Sequence, residues 1–213
     1  MFQRSPIGKI VSLSSLINEW HLSSTSREPT IIGVDGPAGA GKSSLCVALV
    51  SIDPSITIVP MDDFFLPPGL RRAPASEVGR QIDWRRVLDQ VVIPLTRQGA
   101  GHYQRFDWQS YTLKEWHDVP AGGIVLLDGV YSTREELAPF LAQRMWIHVP
   151  GDFGLERGIE RDGEVSRAWW MADWVEDEDR YILAHRPEDL ADIVINGANG
   201  QEHYLRGQYD RLR

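Results

Sequence analysis

The sequence has little cysteine, no long hydrophobic run and no excess of basic residues, and each absence excludes a class of protein. Cys46 is the only cysteine in 213 residues, so an intrachain disulfide and a zinc site built from several thiolates are both excluded. The net charge of −8 argues against a general binder of nucleic acid or membrane surfaces, which is normally basic. No run of about 18 apolar residues occurs, and the N-terminus lacks the apolar segment of a signal peptide. We expect a cytoplasmic protein with no membrane or nucleic-acid partner.

Short apolar runs alternate with helix-like patterns along most of the chain. Strands are predicted at 30–35, 55–63, 123–129, 144–150 and 191–195. Helices are predicted from Lys42 onward and over 84–98, 152–162 and 168–184. Because the strands are apolar throughout and alternate with helices, the predicted fold class is α/β, with a parallel sheet covered by helices on both faces.

The first 29 residues are predicted to be an appendage to this domain. Apolar residues between positions 7 and 22 recur at helical intervals, which indicates an amphipathic helix, and a polar linker follows. Residues 30–213 then form one domain, since the hydrophobic content of 42% is enough for one sizeable core. The leading helix could pack on the sheet edge or mediate dimerisation, so a homo-oligomer is among the predicted assemblies.

The stretch "GVDGPAGAGKSS" matches the pattern of a phosphate-binding loop, or P-loop, G-x-x-x-x-G-K-[ST], between a predicted strand and a predicted helix. Small residues let successive backbone amides converge on phosphate oxygens, while a lysine neutralises them and a hydroxyl ligates Mg²⁺. The predicted ATP contacts in this stretch are Gly36, Ala38, Gly39, Ala40, Gly41, Lys42, Ser43 and Ser44. An ordinary glycine turn at a strand–helix junction is the alternative.

Acidic residues follow two of the predicted strands at the edge where ligands of such sheets bind. Asp128 comes after four apolar residues in "IVLLDG", which is the Walker B arrangement for holding Mg²⁺. Asp62 and Asp63 end the strand predicted at 55–63, in "IVPMDDFF", where one carboxylate could accept a proton from an acceptor hydroxyl. Each acid could instead cap a turn. The predicted metal ligands are Ser43, Asp62 and Asp128.

Over about residues 30–198 the sequence resembles the uridine kinase and phosphoribulokinase family of P-loop kinases, closest to the uridine kinase branch. The resemblance rests on "GPAGAGKSS", "MDDFF", "IDW", "RFDW", "VLLDGVY", "LERGIERD" and "ADIVING", in the family's order and at similar spacing. "MDDFF" followed by "RFDW" and "LDG" narrows the choice among P-loop proteins. The resemblance implies a three-layer P-loop fold with a small lid at about 157–173.

The resemblance also implies roles for individual residues. Asp62 matches the family's catalytic base, and Asp128 lies where the family has an acidic Walker B residue, usually Glu. Asp83 matches an acid that grips sugar hydroxyls of the acceptor. The acceptor pocket would include Phe65, Phe106, Trp108 and Tyr111. Lid arginines that close over ATP would be Arg157, Arg161 and Arg167, and the predicted catalytic set is Asp62, Lys42 and Arg161.

Several of these residues also fit simpler structural roles. The arginines could form a solvated helix face, because Glu156, Glu160 and Asp162 lie beside them. Phe65 and Phe106 could belong to the core, and the tryptophans of the last helical pattern are expected to pack a helix rather than contact ligand. These tryptophans are Trp169, Trp170 and Trp174.

The sequence also departs from the family pattern where the acceptor is recognised. Phe106 and Tyr111 stand where the family usually offers a tyrosine and a histidine, and the lid is several residues shorter than usual. Because loss of hydrogen-bonding groups weakens discrimination by a pocket that reads polar edges, we expect these changes to affect recognition of pyrimidines and to leave phosphoryl transfer intact.

The function predicted is an ATP-dependent kinase that uses Mg²⁺ and phosphorylates a hydroxyl of a small molecule, with a uridine- or cytidine-like nucleoside favoured. One alternative keeps the chemistry on another acceptor, such as a sugar phosphate or a pantothenate-like metabolite. A segment containing Arg71, Arg72 and Arg80 could serve such an anionic acceptor. The alternative from another class is a nucleotide-dependent switch or binding module.

Overall fold

The protein is described by a computed structural model. The described residues are 9–10, 12–24, 29–66, 68–71, 77–151, 153–164, 167, 174–198 and 208–211. Only the backbone is described at 9–10, 68, 161–162 and 208–211.

The centre of the fold is a β-sheet that includes strands from the early and the late part of the described chain. The strands are β1 (Lys9–Ile10), β2 (Thr30–Asp35), β3 (Thr57–Pro60), β4 (Gly101–Asp107), β5 (Thr112–Val119), β6 (Ile124–Asp128), β7 (Gln143–His148), β8 (Ile193–Asn196) and β9 (Gln208–Arg211). Seven of them form one sheet in the order β1-β9-β8-β7-β2-β6-β3. The five strands from β8 to β3 are parallel, which confirms the predicted sheet, whereas β9 and β1 join antiparallel.

Alternating side chains explain why the central strands are apolar throughout. In β2, Ile31 packs into a core on one face of the sheet and Ile32 into a core on the other. In β6, Val125 and Leu126 divide in the same way. Because successive side chains of a strand point to opposite faces, a strand covered on both sides is apolar at most positions.

Helices cover both faces of this sheet. They are α1 (Leu13–Ser23), α2 (Lys42–Ile52), α3 (Trp84–Val87), α4 (Ile93–Thr96), α5 (Phe153–Asp162), α6 (Glu176–His185) and α7 (Pro187–Leu190). On one face, α1 and α2 bury Leu16, Trp20, Leu45 and Leu49 against the sheet. On the other, α3 and α4 are joined by the π-helical turn Leu88–Val92, and this stretch packs with the hairpin described below.

The beginning of the chain differs from its prediction. A helix over 7–22 is wrong at its start, because Lys9–Ile10 form β1 and α1 begins only at Leu13. The hydroxyl of Ser12 accepts a hydrogen bond from the amide of Ser15 and caps α1. Leu16 and Trp20 of this helix pack into the same core as α2.

Two further elements were not predicted correctly. The strand predicted at 55–63 ends at Pro60, and Asp62 and Asp63 lie in the 3₁₀ turn Met61–Phe64. The stretch 101–119, for which the sequence pattern predicts no element, forms the antiparallel hairpin of β4 and β5. Among the described residues, no helix is both long and apolar enough to cross a membrane.

Candidate active site

The loop from Gly36 to Gly41 joins β2 to α2 and has the backbone shape of an anion cradle. Gly39 has a φ of +74° and Gly41 a φ of +100°, and α2 begins without a side-chain cap. The first amides of an uncapped helix are available to an anion, which the helix dipole also attracts. A Cβ at Gly39 would collide with the carbonyl oxygen of Gly154 at the start of α5, so only glycine fits this close approach.

Most of the predicted P-loop residues line one cleft of about 680 Å³. Its lining from this loop and the start of α2 is Ala38, Gly39, Gly41, Lys42, Ser43 and Ser44. Gly36 and Ala40 lie outside the cleft. The amide of Gly36 donates to the carboxylate of Asp35, and the amide of Ala40 donates to the carbonyl of Pro37. These two residues therefore help to fix the backbone of the loop and do not line the cleft.

Lys42 folds back over the loop that precedes it. Its Nζ donates to the carbonyl oxygens of Gly36 and Pro37, at 2.8 Å in each case, and the side chain is almost fully buried. These bonds hold the ammonium group at the wall of the cleft, where a positive charge serves a polyphosphate.

The predicted carboxylates reach the same cleft from neighbouring strands. Pro60 at the end of β3 pairs with Asp128 at the end of β6, and this register brings Asp62 beside Asp128. Burial raises the pKa of Asp128. A hydrogen bond from Ser43 and the charge of Lys42 lower the pKa, and the charge of Asp62 raises it. Asp62 is exposed in its 3₁₀ turn.

The oxygen atoms at this point fit a magnesium ion. The Oδ1 atom of Asp128 is buried and has no hydrogen-bond partner among the described residues, while Ser43 and Asp62 add a hydroxyl and a second carboxylate. Mg²⁺ binds oxygen ligands and usually takes only one or two carboxylates, with water and phosphate completing the shell. The described residues contain no cluster of three or more acidic, histidine or cysteine ligands.

Aromatic side chains close the opposite side of the cleft. Trp108, in the turn of the hairpin, and Trp174, just before α6, line it together. Phe65 lies behind them, with ring centroids 4.2 Å from Trp108 and 5.9 Å from Trp174. Trp174 is buried in the core, as expected for a residue that packs a helix, and it also lines the cleft. Trp169 and Trp170 lie outside the described residues.

The other predicted acceptor residues lie away from the cleft. Phe65 and Phe106 are buried in the core, which is the simpler role predicted for them. Tyr111 is about half exposed, and its ring contacts the edge of Phe106. Asp83 caps α3 by accepting a hydrogen bond from the amide of Arg86, and it lines a separate cleft of about 350 Å³.

The three predicted lid arginines have different surroundings. Arg157 lines the main cleft, and its guanidinium lies over the ring of Phe153, 5.5 Å from the centroid. Arg167 forms exposed ion pairs with Glu156 and Glu164, as expected for a solvated helix face. The side chain of Arg161, and residues 165–166 and 168–173 of the predicted lid, lie outside the described part of the chain.

Sequence analysis missed a buried network that holds the P-loop from beneath. The carboxylate of Asp35 accepts hydrogen bonds from the Gly36 amide, from the amide and hydroxyl of Thr133, and from the Tyr181 hydroxyl at 2.6 Å. Burial raises the pKa of Asp35, whereas these bonds lower it. An acid ending an otherwise apolar strand just before the P-loop was a signal that could have identified Asp35.

Glu178 is a second residue that sequence analysis missed. Its carboxylate accepts a hydrogen bond from the P-loop amide of Ala38 at 3.0 Å. It is one of four consecutive acidic residues at the start of α6, and nothing in that run distinguishes it from its neighbours.

Comparison with known proteins gives partial matches. No protein-family model matches the sequence. The curated protein "Inorganic pyrophosphatase TTM1" of Arabidopsis thaliana is 29% identical over 142 residues, and "Inorganic pyrophosphatase TTM2" of the same plant is 25% identical over 145 residues. Each match covers 65% of this chain but only 21% or 20% of the relative. The chain thus spans about a fifth of the length of the curated relatives it matches.

A solved structure described as a possible uridine kinase from Bacillus stearothermophilus has a similar fold. The TM-score is 0.62 at 20% sequence identity, and the match covers 86% of this chain and 97% of that chain. Together with the parallel sheet and the helices on its two faces, this likeness confirms the predicted α/β fold.

Proposed function

We propose that this protein is an ATP-dependent kinase that transfers the γ-phosphoryl group to a hydroxyl of a small molecule. One observation carries the proposal. A single cleft contains the P-loop with Lys42, two carboxylates at the ends of adjacent strands, and a wall made by Trp108 and Trp174. A triphosphate site beside both a candidate base and an apolar wall is suited to a second, organic substrate.

The roles proposed on the donor side follow from the chemistry of each group. Lys42 and the amides at the start of α2 would bind the phosphates, and Ser43 with Asp128 would hold Mg²⁺. When bound, the ion would neutralise charge that develops during transfer. Arg157 at the cleft wall would add a further cation. Catalysis would consist mainly of positioning and electrostatic stabilisation, as in other phosphoryl transfers.

On the acceptor side we propose that Asp62 accepts the proton of the attacking hydroxyl. Its exposed position in a turn at the cleft lets it reach a substrate. Trp108 and Trp174 provide flat apolar surfaces, which suit a planar ring or the carbon face of a sugar. A uridine- or cytidine-like nucleoside is the favoured acceptor on this ground. Because Asp83 lies in the neighbouring cleft, orientation of the acceptor would fall mainly to the tryptophans.

An anionic acceptor is the alternative within the same chemistry. Arg71 has its guanidinium over the ring of Phe65, 5.4 Å from the centroid, and Arg80 lines the cleft that contains Asp83. Arg72 lies outside the described residues. A sugar phosphate or a pantothenate-like acid would use such cations.

A second candidate function is hydrolysis of inorganic pyrophosphate. It is favoured by the names of the two plant relatives, although the chain corresponds to only a fifth of their length. In the same cleft the P-loop would bind pyrophosphate, and Asp62 would orient a water molecule in place of an acceptor hydroxyl.

An activity screen with one matched pair of variants tests these proposals. With Mg²⁺ and ATP, we expect consumption of ATP that depends on one of a panel of nucleosides, sugars, sugar phosphates and pantothenate. Asp62→Asn should lower kcat by roughly 10²–10⁴-fold with ATP affinity nearly unchanged. Asp63→Asn is the control, because Asp63 accepts a hydrogen bond from Tyr103 and does not line the cleft.

Each alternative predicts a different outcome of this screen. Normal turnover by Asp62→Asn would refute the base assignment. Release of phosphate from pyrophosphate without an acceptor would favour the second candidate. ATP hydrolysis that rises only with a protein partner would favour a nucleotide-dependent switch.

A further inference from the structure

Helices α5 and α6 both contact the P-loop at Ala38. A Cβ at Gly154, in the first turn of α5, would collide with the carbonyl oxygen of Ala38, so the two backbones are in close contact. From the other side, the carboxylate of Glu178 accepts the hydrogen bond of the Ala38 amide. The amide of Ala38 is therefore already bonded to a carboxylate, whereas other amides of the same loop are proposed to bind phosphate.

The charges around Glu178 come from several elements. Glu178 lines a second cleft of about 260 Å³. The groups that act on it or line this second cleft are Lys42 of α2, Asp35 of β2, Tyr131 after β6, Asp179 of its own helix, and the ion pair of His148 in β7 with Glu188 in α7. Lys42 is the cation that favours the ionised carboxylate, whereas Asp35 and Asp179 oppose it.

These surroundings place the carboxyl group close to its titration point at neutral pH. Burial raises the pKa of Glu178 from 4.5 to about 7, and the charge of Lys42 with the hydrogen bond from Ala38 limits the rise. Near pH 7 the group is therefore divided between the carboxylate and the neutral acid.

We infer that polyphosphate binding to this loop is coupled to the uptake of a proton by Glu178. This inference rests on the proposed nucleotide site. A bound triphosphate brings negative charge toward the carboxylate and neutralises Lys42, so both changes favour the neutral acid. The proton comes from solvent and bonds to one carboxyl oxygen, while the other oxygen continues to accept the amide of Ala38. Glu178 is thus a positioning residue of the loop rather than a catalytic residue.

Calorimetry can count this proton directly. A non-hydrolysable ATP analogue with excess Mg²⁺ would be titrated into the protein at pH 7.5 in HEPES and in Tris, whose ionisation enthalpies differ. Excess Mg²⁺ keeps the phosphates ionised, so an exchanged proton belongs to the protein. We expect the wild-type heats to differ by the equivalent of about half a proton.

A matched pair of variants assigns the proton to its residue. Glu178→Gln should reduce the buffer-dependent heat nearly to zero. Glu176→Gln makes the same change on the same helix, where Glu176 forms an exposed ion pair with Arg180, and it should retain the wild-type uptake. Persistence of the uptake in Glu178→Gln would overturn the inference.

The pH dependence of affinity provides a test that needs no variant. Because the protonated form binds more tightly, wild-type affinity should be highest below pH 7 and fall by roughly tenfold as pH rises through 7 to 9. Tight binding with no buffer-dependent heat and no such fall would overturn the inference and leave the proposed function intact. If no nucleotide binds, the proposed function fails and the inference fails with it.

Discussion

At the scale of single residues, the P-loop depends on positions where a side chain would not fit. Gly39 combines a φ of +74° with close approach to the backbone of Gly154. By contrast, a Cβ added at Gly69 would meet no heavy atom within 4 Å, and Gly69 has no positive φ. A comparison of alanine substitutions at Gly39 and Gly69 therefore distinguishes the need for space and a positive φ at Gly39 from the general flexibility of a glycine.

Gly39→Ala should weaken binding of the ATP analogue by at least tenfold, because the added Cβ must displace the loop from Gly154. Strain at a positive φ should also lower the free energy of unfolding by about 1–3 kcal/mol. Titration calorimetry and urea unfolding measure the two effects. Gly69→Ala is the control and should leave both quantities close to the wild-type values. Equal affinity of Gly39→Ala and the wild-type protein would contradict the role assigned to this approach.

At the scale of elements, α6 links the end of the chain to the P-loop. Its Tyr181 donates to the buried carboxylate of Asp35, which also accepts the amide of Gly36. Its Glu178 accepts the amide of Ala38. These two contacts of α6 join residues 146 and 140 positions apart, so the position of this helix determines the shape of a loop formed much earlier in the sequence.

Tyr181→Phe should lower the free energy of unfolding by about 1–3 kcal/mol, because it removes a hydrogen bond to a buried carboxylate. It should also weaken binding of the ATP analogue several-fold, since α6 no longer anchors the residue that precedes Gly36.

Tyr103→Phe is the matched control for this element. It removes a hydrogen bond to Asp63 instead, so it should destabilise the fold while leaving nucleotide affinity unchanged. The measurements are urea unfolding and titration calorimetry of both variants. A destabilised Tyr181→Phe protein with wild-type affinity would show that α6 does not shape the loop.

At the scale of the whole molecule, buried carboxyl groups link stability to pH. Burial raises the pKa values of Asp35, Asp63, Asp128, Asp177 and Glu178. A carboxyl group with a raised pKa binds its proton more tightly in the folded state. Its contribution to stability is therefore complete below the unfolded pKa and is lost as pH rises through the folded pKa.

Exposed carboxylates and His185 make contributions to stability that depend on pH in a different way. The pKa of the exposed carboxylate Glu115 is lowered to about 2, mainly by the hydrogen bond from Arg105. The contribution of such a group to stability is constant near neutral pH and is lost only in acid. Burial lowers the pKa of His185, so its contribution has the opposite sign and is lost as pH falls below about 6.5. Because several groups titrate, the contribution of Glu178 to the pH dependence of stability is measured by comparison with a variant.

The difference in unfolding free energy between the wild-type protein and Glu178→Gln should change by roughly 1–3 kcal/mol between pH 5 and pH 8. The wild-type protein should lose stability over this range as Glu178 ionises in its half-buried position, whereas glutamine cannot ionise. Urea unfolding at several pH values measures this difference. Parallel pH profiles for the two proteins would contradict it.

The amino-acid sequence by itself determined the elements that depend on near neighbours. The P-loop could be predicted because eight consecutive residues specify both its backbone shape and its chemistry. The central strands could be predicted because burial on both faces requires apolar residues throughout, and the ends of β3 and β6 indicated where the carboxylates would lie.

Only the tertiary structure decided which distant residues meet at the site. It joined β1 to the main sheet, placed Asp83 in a neighbouring cleft and Trp174 on the wall of the main one, and selected Glu178 from a run of four acids. Local periodicity contains no information about these contacts. They arise when helices and strands far apart in the chain pack to bury their apolar faces, and that packing decides which polar side chains face the phosphate-binding loop.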